Sequence, residues 1–346
     1  MNRAAMSRIL AAAAVAMIAL NLTNPAPVRA ADATPIRIGW QPTTTVEAQI
    51  AHTLAKTDIL DRNGLKGEFT MFSFGPAVNE ALVSGAIDVG FIGDMPSVSL
   101  AAVGAPVTVV ARQSTFRGSI IASPKSGIMK VADLKGKKLH GPVGSSIYLA
   151  ALSMLAEAGL KPGGDVEIIN MGFAELSDAL KAGRVDAVFV WDPWVENFVR
   201  QNLAEVVSSD IRLTMVTAVR DEFRQKQADA LQRFLKAQKE ALLYAATHPE
   251  ISNGWFREPA AAKALDADVI ATATAYDPQW SAKSLADVRL SMSPAEMERY
   301  LGLGKQAAEL KIYPRLPPLA QKTDMAIAAR LDQETWAFEP SSVKVK

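Results

Sequence analysis

The chain has 346 residues, enough for two lobes of ordinary domain size, and its 49% hydrophobic and 21% charged residues build a core rather than a disordered segment. With 37 basic against 36 acidic residues the formal charge is +1, which offers neither the footprint of a nucleic-acid binder nor a polybasic membrane patch. Cysteine is absent, which excludes disulfides, thiolate metal sites, cysteine nucleophiles and a lipidated cysteine anchor.

Residues 1–30 read as a cleavable export signal. Arg3 and Arg8 precede an apolar run from Ile9 to Leu20, Pro25 and Pro27 break it, and Val28-Arg29-Ala30 places the cut after Ala30. Removing this leader takes away three arginines and no acid, so the expected mature chain carries 34 basic and 36 acidic residues, net −2. No later segment is apolar for long enough to cross a bilayer, and the expected location is the periplasm.

Beyond the leader, short apolar runs alternate with helical patterns, the signature of βαβ units and a largely parallel sheet. Pro35 to Trp40 reads as the first strand; Thr43, Thr44 and Thr45 are N-cap candidates for a helix carrying Val46, Ile50 and Leu54. Phe69 to Phe74 reads as a second strand. Gly75-Pro76 opens a helix with Ala77, Val78, Ala81 and Leu82 on its apolar face, and Ala86 to Ile92 is the third strand. Val107 to Ala111 and Leu213 to Val219 are candidate crossovers, which puts residues 31–113 and 213–346 in a first lobe and 114–212 in a second. A long amphipathic helix follows from Ala228 to Ala245, then a largely helical tail broken at Pro314, Pro317 and Pro318.

An internal echo supports two similar lobes. Glu80 to Pro96 and Asp178 to Trp194 share six of seventeen positions at a constant offset of 98, among them Gly85/Gly183, Asp88/Asp186 and Asp94/Asp192. Two readings are open: a common helix-glycine-strand phrase that recurs by composition, or two lobes whose last strands both end in an aspartate at the carboxyl edge. Ligands of open α/β sheets bind outside the carboxyl ends of strands, so two such edges face to face make a cleft.

The candidate ligand set follows from that cleft. Gly144, Ser145 and Ser146 precede a helical run from Ile147 to Ala158, where free N–H groups and two hydroxyls suit an oxyanion; the plainer reading is serine capping. Gly93 permits close backbone approach, and Asp94 either caps the next helix or accepts from a ligand. Trp191 offers an apolar wall and one N–H, beside Asp192 at the equivalent turn; Trp40 and Gln41 end the first strand; Arg112 is a candidate cation for an anionic group. His52, His140 and His248 lack metal spacing, neither G-x-S-x-G nor H-E-x-x-H occurs, and no cofactor is expected.

These residues resemble the periplasmic sulfonate-, taurine- and nitrate-type solute-binding proteins of ABC importers. The resemblance is carried by Ile36–Gln41 (I-R-I-G-W-Q), Gly75–Pro96 (G-P-x-x-x-E-A-L-x-x-G-A-I-D-V-G-F-I-G-D-M-P), Val131–Leu139, Gly144–Ser146 and Asp186–Trp194 (D-A-V-F-V-W-D-P-W). It implies an α/β, two-lobed periplasmic binding protein type II fold, each lobe a mostly parallel sheet flanked by helices and joined by hinge crossovers. It implies a monomeric carrier, not an enzyme, that delivers a small organic sulfonate or taurine-like anion to an ABC permease and its ATPase. Nitrate, bicarbonate, a small aromatic acid or a thiamine pyrimidine precursor are the alternative ligands, and an enzyme using the same cleft is the alternative class. Thr43-Thr44-Thr45 after Pro42 departs from the Asn and His of the pyrimidine binders, the absent cysteine departs from the related pyrimidine synthases, and Trp40 stands where sulfonate binders more often carry tyrosine.

Overall fold

The computed structural model describes residues 33–346; the expected leader and its cut after Ala30 lie outside the described residues. In the first run of elements come β1 (Thr34–Trp40), α1 (Thr45–Lys56), α2 (Ile59–Arg62), β2 (Leu65–Met71), α3 (Gly75–Ser84), β3 (Val89–Gly93), α4 (Asp94–Ala102) and β4 (Val107–Ala122). The second holds β5 (Lys138–Gly141), α5 (Ser146–Glu157), β6 (Glu167–Asn170), α6 (Phe173–Lys181), β7 (Ala187–Trp191), α7 (Trp194–Arg200) and β8 (Glu205–Arg220). A helical tail follows: α8 (Asp221–Lys226), α9 (Ala228–Thr247), α10 (Pro249–Phe256), α11 (Ala267–Thr274), α12 (Pro294–Glu309) and α13 (Ala326–Gln333).

The strands form one eight-stranded sheet in the order β2-β1-β3-β8-β4-β7-β5-β6. Its centre is an antiparallel ribbon of β4 and β8, each sixteen residues long. A parallel group, β2, β1 and β3, joins through the Met215–Val219 end of β8. A second parallel group, β6, β5 and β7, joins through the Gly118–Ala122 end of β4. Both groups are parallel because helices connect their strands, and both attach to opposite ends of the ribbon. This is the two-lobed α/β architecture expected, with one difference. The crossovers are not short apolar links; Val107–Ala111 and Leu213–Val219 are parts of two continuous strands that run through both lobes.

The ribbon is irregular where it passes between the lobes. Register shifts fall between Val109 and Ala111, Arg112 and Ser114, and Phe116 and Gly118. Each bulge sharpens the local twist, which turns the two strand groups relative to each other. The second strand also begins earlier than expected, at Leu65, because pairing with β1 runs in register from Thr34↔Leu65 to Trp40↔Met71. Phe72 and Phe74 lie past its end.

Each lobe buries its sheet under helices. Ile36, Ile38, Val89 and Phe91 are fully buried in one strand group, as are Val188, Phe189 and Val190 in the other. The matched glycines of the internal echo do the same work in both: Gly85 (φ 78°) and Gly183 (φ 65°) adopt the left-handed conformation just past α3 and α6, which ends each helix and starts the turn into the next strand. Among the described residues no helix is long and apolar enough to cross a membrane.

Candidate ligand-binding cleft

A narrow cleft opens where the carboxyl ends of β1, β3 and β7 meet. Gln41, Thr44, Phe74, Gly75, Gly93 and Pro96 line one side; Phe116, Ser145, Ser146, Ile147 and Trp191 line the other, with Met215 of β8 between them. None of these side chains is ionisable. Four helices begin at this lining: α1 behind Thr44, α3 at Gly75, α4 behind Gly93 and α5 behind Ser145. A helix N-terminus carries about half a positive elementary charge and up to four N–H groups without intrahelical partners. Among the described residues, the N–H groups of Gly75, Ser146 and Ile147 have no protein acceptor.

Side chains complete a donor surface. Ser146 is 6% exposed and its hydroxyl has no hydrogen-bond partner, although an unpaired buried hydroxyl costs on the order of 1–3 kcal/mol. The amide of Gln41 is fixed by Nε2–H donation to the Phe91 carbonyl at 2.9 Å, which leaves its second N–H for another acceptor. Gly93 is required here for space, not conformation: with an ordinary φ of −75°, a methyl group on it would lie 2.2 Å from Ser146 Oγ. Beyond Ser146 the cleft meets a polar groove lined by Asp94, Asp210, Arg212 and Gln306.

The structure thus brings Gln41, Gly93, Ser145, Ser146 and Trp191 to one cleft and leaves the other candidates outside its lining. Arg112 lies outside the lining and is engaged by acids. It is 1% exposed, with Nη2 3.2 Å from Asp277 Oδ2 and Nε 3.2 Å from Glu296 Oε1. Burial alone would raise the Glu296 carboxyl, but Ser293, Arg289 and Arg112 outweigh it and hold it at about 2. Asp192 is engaged by Arg117, whose Nε and Nη2 donate at 2.6 and 2.9 Å, and it also accepts the Glu196 N–H near the start of α7. Asp94, the first residue of α4, accepts the N–H groups of Met95 at 2.8 Å and Thr214 at 2.9 Å, so both of its oxygens are engaged by backbone donors. Burial still pushes the Asp94 carboxyl up, against the nearby Ser146 hydroxyl and those two backbone donors.

Three finer expectations change as well. The Ser145 hydroxyl donates to the Pro142 carbonyl at 2.7 Å, so of the two serines only Ser146 keeps an unbonded hydroxyl. The Trp191 N–H is not available to a ligand: Trp191 Nε1 donates to the Thr43 carbonyl at 2.9 Å, and Trp194 Nε1 donates to the same oxygen at 3.0 Å. The Trp191 ring remains as an apolar wall. Trp40 packs edge-on against His52 with ring centroids 4.8 Å apart, and Gly144 supplies a left-handed turn (φ 85°) that starts α5. Thr44, Phe74, Gly75, Pro96, Phe116, Ile147 and Met215 line the cleft without having been singled out as ligand residues; Gly75-Pro76 after a strand and the Thr43–Thr45 caps were the signals available for the first three.

Comparison with known proteins agrees with this architecture. The taurine-binding periplasmic protein of Escherichia coli K12 is 27% identical over 217 residues, 61% of this chain and 65% of that one, so the match spans just under two thirds of the relative's length. The alkanesulfonate-binding protein SsuA of Xanthomonas axonopodis pv. citri, solved bound to MOPS, superposes with a TM-score of 0.71 at 22% identity, covering 85% of this chain and 99% of that one. The periplasmic aliphatic sulphonate binding protein SsuA of Escherichia coli superposes at 0.68 with 24% identity, over 87% and 99% of the two chains. The family model described as NMT1/THI5 like matches residues 63–252, more than half of the sequence, and the chain belongs to that family.

Proposed function

We propose that this chain is the solute-binding component of an ABC importer that captures a small organic sulfonate or taurine-like anion in the cleft and delivers it to a membrane permease with its ATPase. The observation that carries this reading is the convergence of four helix N-termini on a lining without one ionisable side chain. Such a lining has no cation to neutralise a dianion and no carboxylate to act as a base. It offers donors to a singly charged, acceptor-only head group, with Trp191, Phe74, Phe116 and Met215 against an organic tail. Hydrogen bonds to a charged group contribute about 1.5–3 kcal/mol each, so three or four support micromolar binding after ordering costs. The names of the similar proteins favour sulfonates among the possible anions.

In this reading residues 31–113 and 213–346 form one lobe and 114–212 the other, the leader is cut after Ala30, and the mature protein works in the periplasm as a monomer. The test is a thermal-shift screen of taurine, alkanesulfonates, nitrate and bicarbonate, followed by calorimetry on the compound that stabilises most. Ser146→Ala is expected to weaken that compound at least tenfold with little change in melting temperature. An unchanged dissociation constant would remove Ser146 from the anion site; a screen in which no anion stabilises the protein would remove the site itself.

A further inference from the structure

One buried acid stands directly behind this site and no ligand role has been given to it. Glu47 lies in the first turn of α1, three residues after Thr44, and is fully buried. Its Oε1 accepts the backbone N–H of Gln41 at 2.7 Å, so the carboxyl is one hydrogen bond from the cleft lining. Its Oε2 is buried without any partner.

Among the described residues no cation pairs with it. On α1 itself, burial holds the neutral His52 at about 4, and Lys56 pairs with Glu258 at 2.8 Å at the far end. Arg37 on β1 is bound to Asp88; on β4, Arg112 pairs with Asp277 and Glu296, and Arg117 with Asp192. On α9, Lys239 faces Asp332, and Glu240 accepts from Asn63 and Trp336; Asp268 on α11 approaches Arg200. The ionisable residues of α2, β2 and α10 are exposed. At the start of α4, Asp94 is a second acid and not a counter-ion. A carboxylate with one donor, one bare oxygen and no counter-charge is far costlier to bury than a carboxylic acid. Burial accordingly pushes the Glu47 carboxyl well above its ordinary range.

We propose that Glu47 is a positioning residue that holds the Gln41 turn as a neutral carboxylic acid, and that its ionisation places a negative charge behind the helix N-termini and expels the anion. The proposal rests on the anion-binding reading above and adds a coupling to it: the anion and the Glu47 proton bind together. A unit charge about 10 Å from the anion, at an effective dielectric of about 20, changes affinity on the order of tenfold. The sign follows from the raised pKa: the site is strongest while Glu47 keeps its proton and weakens as pH rises through the pKa of the folded protein.

The experiment is calorimetric titration of the full mature chain with ethanesulfonate and with taurine from pH 6 to pH 10. Ethanesulfonate is the anion of a strong acid, and its charge does not change over this range. Wild-type affinity is expected to fall about tenfold toward the alkaline end, while Glu47→Gln, which keeps an acceptor for the Gln41 N–H and cannot ionise, binds with a flat profile for ethanesulfonate. A wild-type profile that stays flat, or a fall that persists in the Glu47→Gln protein, overturns the role of Glu47 and leaves the anion site standing. Absence of binding by both compounds at pH 6 overturns the anion site and this inference with it. Should Glu47→Gln not fold, the wild type alone decides: titrations in two buffers of different ionisation heat must show proton uptake on binding in the region where affinity falls, and zero uptake throughout overturns the proposal.

Discussion

Gly93→Ala tests the assembled cleft at its tightest point. The backbone of Gly93 sits at φ −75°, so alanine brings no conformational strain. Its methyl would lie 2.2 Å from Ser146 Oγ and 3.5 Å from Ser146 Cβ and Pro96 Cδ. Only the hydroxyl is in conflict, and it must retreat by roughly 1 Å to reach an ordinary contact. Overpacking of this kind costs about 1–3 kcal/mol, and the low end applies where a single oxygen can rotate away. The effect on binding is larger, because the rotated hydroxyl no longer faces the cleft. Loss of one hydrogen bond to a charged group, about 1.5–3 kcal/mol, weakens the anion by roughly 10- to 150-fold. The assay is a double-mutant cycle of Gly93→Ala and Ser146→Ala, with melting temperature and dissociation constant measured for all four proteins. Removing the hydroxyl removes the clash, so the double variant should have the stability of Ser146→Ala and an affinity no worse than that of Ser146→Ala. Additive losses in both quantities would show that Gly93 and Ser146 do not meet in solution, and would refute the placement of α5 against the end of β3.

Two further substitutions separate the cleft from its surroundings. Arg112→Met leaves Asp277 and Glu296 without their buried partner and is expected to destabilise the protein by about 3–5 kcal/mol, read by urea unfolding, with ligand affinity of the folded protein within about twofold of wild type. A strong loss of affinity at unchanged stability would return Arg112 to the ligand set. Trp194→Phe removes one of two N–H donors to the Thr43 carbonyl, and with it about 1 kcal/mol of contact between the β1–α1 turn and α7. Stopped-flow tryptophan fluorescence should show ligand dissociation accelerated about fivefold with association unchanged; an unaltered dissociation rate would separate this contact from closure of the cleft.

Much of the fold was legible because local rules agree with the global one. Alternating β and α patterns announced two parallel strand groups, and Gly85 and Gly183 recur at one offset because both helices need a left-handed residue to turn into the next strand. The lengths of β4 and β8 were not legible. Arg112, Gln113 and Ser114 follow the short apolar run taken as a crossover, yet all three are buried inside the ribbon, where Arg112 pairs with Asp277 and Gln113 donates to Thr217 while the Ser114 hydroxyl has no partner. Residues chosen for backbone geometry, Gly93 and Ser145-Ser146, lie in the lining of the cleft. Those chosen for their charge lie outside it. Arg112, Asp192 and Asp94 have the chemistry of ligand residues, and a sequence does not show that Asp277, Arg117 and Thr214, distant along the chain, already occupy them.

The matched aspartates point to why the grip is left to neutral groups. Asp94 follows β3 and reaches the backbone of Thr214 in β8; Asp192 follows β7 and reaches Arg117 in β4. Each therefore ties the last turn of its own strand group to the central ribbon, and each is committed before any ligand arrives. What remains at the cleft is the backbone ends of α1, α3 and α4 on one side and of α5 on the other. Partial charges of this kind act within about a turn of the helix end. Their sum at one point exists only while the two sides are together, so on the proposed anion-binding reading any separation of the two sides would weaken the site without breaking an ion pair. The proposed carrier would need that property, since a full guanidinium–sulfonate pair would hold its anion to one side, whereas divided dipoles would release it.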